Sequence, residues 1–99
     1  MPGILVQAGA AQWVFHDAFT VGRPGHHPDV PLMDIYVSDR HARFLHEDGS
    51  WFVEDLGSTN GTWLGASGLN GGLRLYGRAR ITKGDKVIVG RTTLTLVPL

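Results

Sequence analysis

Three polar residues with different hydrogen-bonding groups interrupt the apolar runs of this sequence. Arg23 carries a guanidinium, Ser38 a hydroxyl and Asn60 a carboxamide. A guanidinium presents a rigid fork of donors that matches the oxygens of a phosphate two at a time. A phosphate ester adds about −1.5 to −2 charges and three acceptor oxygens, so its binding site requires a cation and several fixed donors. These residue types could bind a phosphorylated group if the fold brought them together.

The polar segment from Gly57 to Gly61, with the sequence GSTNG, separates two extended patterns. Alternation at Trp51–Glu54 and again at Thr62–Leu64 predicts two strands joined as a hairpin with a polar tip. The two glycines allow backbone angles that other residues avoid, so the polar side chains between them can face outward at one end of a sheet. The alternative interpretation is an ordinary Asn-Gly turn, which favours positive φ at both central residues and requires no ligand.

Four short motifs occur in one order along the chain: Gly22-Arg23, Ser38-x-x-His41, Thr59-Asn60-Gly61 and Gly84-Asp85-Lys86-Val87-Ile88-Val89-Gly90. Each motif alone is common, but the ordered set is specific, and with it the sequence resembles a forkhead-associated (FHA) domain. The resemblance extends from about Ile4 to Leu96, nearly the whole chain. It implies a sandwich of the FHA/SMAD-like type whose peptide-binding loops gather at one end.

The resemblance also implies a role for individual residues. Arg23 would contact the phosphate, the turn at Ser38 would add donors, and Asn60 would hold the main chain of a bound peptide. The implied phosphopeptide-binding residues are Arg23, Ser38, Asp39, Arg40, Ser58, Thr59 and Asn60. The implied structural residues are Gly22, His41 and Gly61, with the His41 ring bracing the binding loops from inside the fold. Tyr36 lies where family members vary to select the third residue after phosphothreonine, and a tyrosine suits an apolar or aromatic partner.

Asp39 departs from the family pattern, because many relatives carry Asn, Arg, Lys or Thr at this position. A carboxylate that faced the site would repel a phosphate dianion. If Ser38 points into the site, strand alternation turns Asp39 outward, where Arg40 or Arg43 could pair with it. On this hypothesis Arg40 could donate to the phosphate.

Short alternating patterns recur along the chain, and no segment shows apolar residues at helical spacing. They predict an all-β protein with a two-sheet antiparallel β-sandwich of about 10 or 11 short strands, forming a single domain over residues 1–99. The predicted strands are Ile4–Val6, Gln12–His16, Ala18–Val21, Leu32–Val37, His41–Leu45, Trp51–Glu54, Thr62–Leu64, Arg78–Ile81, Lys86–Val89 and Thr92–Val97. Pro24–Pro31 holds three prolines and predicts a stiff exposed loop. Gly65–Gly72 is glycine-rich and predicts a mobile connection.

The composition bounds the class of protein. Lys plus Arg and Asp plus Glu each number nine in 99 residues, so no net charge attracts the chain to nucleic acid or an anionic membrane. The absence of cysteine excludes disulfides and thiolate zinc sites. No apolar run approaches the ~18 residues of a membrane span. We therefore expect a cytoplasmic, soluble monomer that binds no cofactor.

The residue types are compatible with another kind of site, a catalytic one. Ser38, Asp39 and His41 resemble a hydrolase triad, but on an extended strand Ser38 and His41 point to opposite faces, and no Gly-x-Ser-x-Gly elbow is present. We therefore predict that the chain is not an enzyme.

A metal site is the other alternative, because residues of metal-ligand type occur at His26, His27 and Asp29, with His16 and His46 elsewhere. They lack the spacing that aims two rings at one ion. We predict no metal site.

The function that the resemblance implies is a non-catalytic adaptor that binds a phosphothreonine-containing partner, such as a Ser/Thr kinase or its substrate. No nucleic acid or membrane partner is expected. The alternative is a degenerate module of the same fold, which assembles with proteins independently of phosphate, and Asp39 is the feature that favours it.

Overall fold

Two β-sheets make up the part of the chain that the computed structural model describes, residues 2–65 and 72–99. The eleven strands are β1 (Ile4–Ala8), β2 (Ala11–Phe15), β3 (Phe19–Gly22), β4 (Val30–Pro31), β5 (Ala42–Glu47), β6 (Ser50–Asp55), β7 (Thr62–Gly65), β8 (Leu73–Arg74), β9 (Arg78–Ile81), β10 (Asp85–Val89) and β11 (Thr92–Pro98). One sheet has the strand order β2-β1-β11-β10-β7-β8, and the other has the order β4-β3-β5-β6-β9. Only the pair of β3 with β4 is parallel among these described strands. The predicted all-β, two-sheet sandwich is confirmed.

The core lies between the sheets and follows from strand alternation. In β10 and β11 the side chains of Val87, Val89, Leu94 and Leu96 are fully buried, whereas those between them keep some exposure. Successive side chains of a strand point to opposite faces, so one residue in two enters the core. Burying each such side chain contributes about 1.5–3 kcal/mol. This packing holds the strands, and Leu32 and Val37 add buried side chains from the connection between β4 and β5.

Stacked aromatic rings anchor β3, the strand that leads to Arg23. The Phe19 ring lies 4.1 Å from that of Phe15 and 4.7 Å from that of Phe44, measured between centroids, and both pairs are nearly parallel. Stacked rings of this kind contribute about 0.5–1.5 kcal/mol beyond the area they bury. The position at which β3 ends is therefore determined by the core.

A tight turn sets the register of the two central strands of the five-stranded sheet. Asp48 and Gly49 join β5 to β6 with φ angles of 52° and 79°. Positive φ at both turn residues is the requirement of the type I′ two-residue hairpin, and Asp-Gly meets it well. The register pairs Ala42 with Asp55 at the far end of the hairpin. This places the residue before Ala42 beside the residue after Asp55, where the site is built.

The predicted strand at Leu32–Val37 is wrong, because the segment forms a turn and the only strand nearby is the two-residue β4. Its apolar pattern does not reach the core throughout, since Met33 is 92% exposed and Ile35 is 77% exposed. The Asp34 side chain accepts a hydrogen bond from the Tyr36 amide at 2.9 Å. Such a local bond offers the backbone an alternative to strand pairing.

The predicted hairpin around residues 57–61 is also wrong. β6 belongs to the five-stranded sheet and β7 to the six-stranded sheet, so the connection crosses from one sheet to the other. Gly57 and Gly61 have φ angles of 82° and 84°, whereas Asn60 is not among the residues with positive φ. The ordinary Asn-Gly turn, which needs positive φ at both residues, is therefore excluded too.

The glycine-rich connection predicted to be mobile, Gly65–Gly72, falls mostly on residues 66–71, which lie outside the described residues. β7 ends at Gly65, and the chain is described again from Gly72. Within the described ranges, no helix has the length and apolarity to cross a bilayer.

Candidate functional site

Three connections from distant parts of the chain meet at one end of the sandwich, and they carry Arg23, Ser38 and Thr59. Ser38 lies between the other two residues and forms a hydrogen bond with each. The Ser38 carbonyl accepts a hydrogen bond from the Arg23 amide at 3.2 Å. The Ser38 hydroxyl oxygen accepts one from the Thr59 amide at 3.1 Å. A groove of about 370 Å³ opens here, and Arg23, Tyr36, Ser38, Asp39, Thr59 and Asn60 all line it. The structure thus brings most of the implied phosphopeptide-binding residues together.

Gly22 permits the close approach of β3 to the turn that carries Ser38. A Cβ atom built on Gly22 would overlap the carbonyl oxygen of Asp39. The φ of Gly22 is not positive, so the requirement is for space rather than for an unusual backbone angle. A residue with a side chain would push apart the strand end that bears Arg23 and the turn that bears Ser38.

The buried ring of His41 joins two loops of the site. Its Nδ1 accepts a hydrogen bond from the Ser38 amide at 3.0 Å, and its Nε2 lies 2.9 Å from the Gly61 carbonyl oxygen. Because a carbonyl only accepts, Nε2 carries the proton and donates. His41 is fully buried, and both ring nitrogens contact main chain. The ring therefore braces the turn at Ser38 against the loop that ends at Gly61.

These contacts change the argument against a hydrolase. Residues 38–41 form a bend and not the extended strand on which that argument depended, so the expectation of opposite faces does not apply. His41 instead contacts the amide of Ser38, and the Ser38 hydroxyl contacts Thr59. A general base must lie within hydrogen-bonding reach of the proton that it removes. In this geometry His41 is committed to main-chain groups.

The carboxylate of Asp55, the last residue of β6, organises the loop that crosses between the sheets. It accepts hydrogen bonds from the amides of Gly57 and Ser58 at 2.9 and 3.0 Å and from the Thr62 hydroxyl at 2.7 Å. It also accepts a short bond from the Ser58 hydroxyl. Burial by itself raises the pKa of Asp55, but the hydrogen bonds from Ser58, Thr62 and Gly57 outweigh burial and hold it below its ordinary value of 3.8.

Ser58 lies beneath the loop rather than on the groove. Its hydroxyl donates to Asp55, and its oxygen accepts from the Gly61 amide at 3.0 Å. We therefore assign Ser58 to the support of the loop, whereas the family resemblance implies that it contacts the phosphopeptide. Thr59 and Asn60, which follow it, are exposed on the groove.

Asn60 ties the crossing loop to the turn before Ser38. Its Nδ2 donates to the Tyr36 carbonyl oxygen at 2.9 Å. The main-chain carbonyl oxygen of Asn60 accepts a hydrogen bond from the indole N–H of Trp63 at 3.2 Å. A carboxamide has two N–H donors and one carbonyl acceptor, so after the bond to Tyr36 one N–H and the oxygen are left for a ligand.

A second carboxylate, Asp34, fixes the turn that carries Tyr36. It accepts hydrogen bonds from the Arg91 amide and the Thr92 hydroxyl, both at 2.8 Å, in addition to that from Tyr36. Burial by itself raises the pKa of Asp34, but hydrogen bonds from Thr92, Tyr36 and Arg91, with the charge of Arg91, hold it below its ordinary value of 3.8. The Arg91 guanidinium lies 4.4 Å from the centroid of the Tyr36 ring, a cation–π contact.

Asp39 lines the groove, and the partner of its carboxylate is neither Arg40 nor Arg43. Its Oδ2 lies 3.2 Å from Nε2 of His26. Arg43 instead pairs with Glu54 at 2.9 Å. Arg40 is exposed and is not among the residues that line the groove, so nothing in this geometry places it on a bound phosphate.

Two features of the site were missed in the sequence. Asp34 and Asp55 received no role, although an aspartate followed two or three residues later by an amide or hydroxyl partner is a known turn-forming pattern. That pattern could have found them.

Within the described residues no group of three His, Cys, Asp or Glu side chains is placed to hold a metal ion.

Sequence comparisons match the FHA domain model to residues 19–90. The FHA domain-containing protein FhaB of Mycobacterium tuberculosis is 40% identical over 67 residues, which are 68% of this chain and 39% of FhaB. The oxoglutarate dehydrogenase inhibitor of Corynebacterium diphtheriae is 36% identical over 85 residues, with 80% of this chain and 54% of the relative covered. The chain thus spans about half or less of the length of these curated relatives.

Solved structures share the fold. The FHA domain of the CT664 protein from Chlamydia trachomatis superposes with a TM-score of 0.83 at 24% identity and covers 96% of both chains. Mycobacterium tuberculosis EmbR in complex with a low affinity phosphopeptide superposes with a TM-score of 0.82 at 19% identity, over 96% of this chain and 24% of that chain. From the family match over most of its length, the chain belongs to the forkhead-associated (FHA) domain family.

Proposed function

We propose that this chain is a binding module for phosphothreonine-containing peptides that recruits phosphorylated partners in Ser/Thr-kinase signalling. One observation carries the proposal: Arg23, Ser38 and Asn60 come from three separate connections and line one groove. A cation, a hydroxyl and a carboxamide are the groups that a phosphorylated side chain and its flanking main chain require. The family match and the phosphopeptide bound by EmbR support the same class of ligand.

Each lining residue has a distinct part in this proposal. Arg23 is exposed, and a guanidinium can pair with two phosphate oxygens at once. The Ser38 oxygen already accepts from the Thr59 amide, so its own hydroxyl hydrogen is available to donate to the phosphate. Asn60 retains one N–H and its carbonyl oxygen for the main chain of the peptide. Arg23 thus recognises charge, and Asn60 recognises backbone.

Selection of neighbouring residues in the peptide is proposed to involve the turn at 33–36. Exposed side chains of Met33 and Ile35, together with Pro24, line a second depression of about 230 Å³ that shares Arg23 with the groove. An exposed apolar wall favours an apolar side chain in the ligand. This agrees with the preference expected from Tyr36, although one contact of the Tyr36 ring is taken by Arg91.

The proposed role is binding without catalysis. We propose that the chain acts as a monomer in the cytoplasm, where ATP is available to the kinases that phosphorylate its partners. His41, the side chain that a hydrolase would use, donates to and accepts from main-chain groups. The name of the Corynebacterium diphtheriae relative, an inhibitor of an enzyme, supports a regulatory role. The partner is a phosphorylated protein, and neither nucleic acid nor membrane is part of the proposal.

A degenerate module that binds proteins without phosphate is the second candidate, and the Asp39 carboxylate in the groove favours it. One titration separates the two candidates. A fluorescent degenerate phosphothreonine peptide library, its phosphoserine counterpart and the unphosphorylated library are titrated against wild type, Arg23→Ala and the control Arg80→Ala. Arg80 is an exposed arginine of β9, away from the groove.

The proposal predicts that wild type and Arg80→Ala bind the phosphothreonine library, that phosphoserine binds less tightly, and that Arg23→Ala does not bind. The threonine methyl alone contributes about 0.8 kcal/mol if it is buried. Equal binding of phosphorylated and unphosphorylated libraries would favour the degenerate module. Release of inorganic phosphate would indicate an enzyme instead.

A further inference from the structure

The charges of the groove are balanced before a ligand arrives. Arg23 contributes one positive charge and Asp39 one negative charge, and the other lining side chains are uncharged. A phosphate ester brings about −1.5 to −2 charges. The phosphate would therefore meet one guanidinium together with a carboxylate that repels it. A further cation is needed close to Asp39.

His26 is the side chain that occupies this position. Its Nε2 lies 3.2 Å from Oδ2 of Asp39, and the two side chains are 61% and 55% exposed. An imidazole carries charge only when it is protonated, so this contact is an ion pair only in that state. A protonated imidazole cancels the charge of Asp39, and a neutral imidazole does not.

The loop that carries His26 is restrained at several points, and these restraints favour a defined position for the contact between His26 and Asp39. Pro24 and Pro28 restrict the backbone on either side of it. The carboxylate of Asp29 accepts from the Thr20 amide of β3 at 2.9 Å. His26 therefore lies on a tethered loop only three residues beyond Arg23.

We propose that His26 is a positioning residue of the phosphate site, which neutralises Asp39 when protonated and so couples phosphopeptide affinity to pH. The inference rests on the proposed function and deepens it. The other titratable or charged residues adjacent to the pair in the sequence are Arg23, His27 and Asp29 on the same loop and Arg40 on the turn after Asp39. The facing loop presents Thr59 and Asn60, which are uncharged. Arginine side chains remain charged throughout the pH range in which an imidazole titrates.

The test is a double-mutant cycle at two pH values. Affinities for the phosphothreonine library are measured for wild type, His26→Gln, Asp39→Asn and the double variant, at about pH 6 and about pH 8. His27→Gln is the matched control, since it removes the adjacent histidine, which has no ion pair within the described ranges. The free phosphopeptide itself titrates near pH 6, and this contribution is common to every variant because the ligand is the same, so the variants are compared with one another at each pH.

At about pH 6 we expect His26→Gln to weaken binding about twofold to fivefold, the range of an exposed ion pair. The difference should shrink towards none at about pH 8, where the imidazole of a typical histidine is neutral. In the Asp39→Asn background the His26→Gln change should have little effect, and Asp39→Asn alone should tighten binding at the higher pH. Both residues are exposed, so thermal unfolding should be unchanged in all variants.

Equal affinities of wild type and His26→Gln at both pH values would overturn the inference. It would also be overturned by additive effects of the two changes, or by an equal loss in His27→Gln. In each of these cases loss of binding in Arg23→Ala would leave the proposed function standing. Absence of phosphopeptide binding by wild type at either pH would overturn both.

Discussion

The side-chain amide of Asn60 donates a hydrogen bond to the main-chain carbonyl of Tyr36 at 2.9 Å, across a separation of 24 residues in the chain. This bond links the loop that crosses between the sheets to the turn that precedes Ser38. It also uses one of the two N–H donors of Asn60 before any ligand binds. Asn60 is therefore both a part of the groove wall and a proposed contact for the peptide.

Replacement of Asn60 should weaken phosphopeptide binding while the fold persists. We expect Asn60→Ala to weaken binding at least about tenfold, because the ligand loses a donor and an acceptor and the groove loses its tie to Tyr36. The exposed bond contributes about 1 kcal/mol or less to stability, so urea unfolding should change little. The measurements are fluorescence anisotropy with the phosphothreonine library and urea denaturation. Wild-type affinity in Asn60→Ala would remove Asn60 from the proposed site.

His41 should be needed for stability rather than for ligand contact. His41→Phe preserves much of the volume but leaves the Ser38 amide and the Gly61 carbonyl without their buried partner. We expect a loss of about 2–4 kcal/mol in the free energy of unfolding, measured in urea. His46→Phe, at a partly buried ring that packs against Trp51, is the control and should cost less. Equal stability of His41→Phe and wild type would contradict the bracing role.

The carboxylate of Asp55 should make stability depend on pH in the acid range. Its pKa in the folded protein is lowered from 3.8, so the unfolded state takes up the proton first as the pH falls. The stabilisation is therefore complete above about pH 5 and is lost as the pH falls through the folded pKa. Asp55→Asn should lose about 1–3 kcal/mol at neutral pH, and the gap to wild type should narrow in acid. Asp17→Asn, at an exposed residue, is the control for urea unfolding at both pH values.

A gap between wild type and Asp55→Asn that stayed constant from neutral to acid pH would contradict this account. Asp34 has a lowered pKa of the same kind. Asp55→Asn should therefore also lose some stability in acid, because it retains Asp34. The comparison depends on the difference between the variants at each pH.

Gly22 should resist replacement for a steric reason. In Gly22→Ala the new methyl would overlap the carbonyl oxygen of Asp39, and backbone on both sides would have to move. We expect a loss of about 1–3 kcal/mol in the free energy of unfolding, as for other overpacked sites. In the control Gly65→Ala the new Cβ would lie 3.7 Å from Cδ1 of Ile88, an ordinary contact, so this variant should be tolerated. A fully stable Gly22→Ala would show that the two segments can separate freely.

Local pattern was sufficient for most strands. The predicted strand Arg78–Ile81 has the observed bounds, and others differ by one or two residues, because alternation of side chains is a property of the strand itself. The local pattern failed at Leu32–Val37. There the Asp34 side chain accepts a hydrogen bond from the local backbone, and further hydrogen bonds from Arg91 and Thr92 to Asp34 hold the turn. Those partners are more than 50 residues away in the sequence.

The sequence by itself determined that the chain forms an all-β sandwich and which residue types are candidates for binding a phosphate, since strand alternation and turn composition are local. Only the tertiary structure decided that β6 and β7 lie in different sheets, that His26 and not Arg40 pairs with Asp39, and that Ser58 supports the loop. Alternation shows which face a residue occupies. It does not show which strand will be its neighbour or which distant loop its side chain will meet, because those contacts arise only when remote segments pack together.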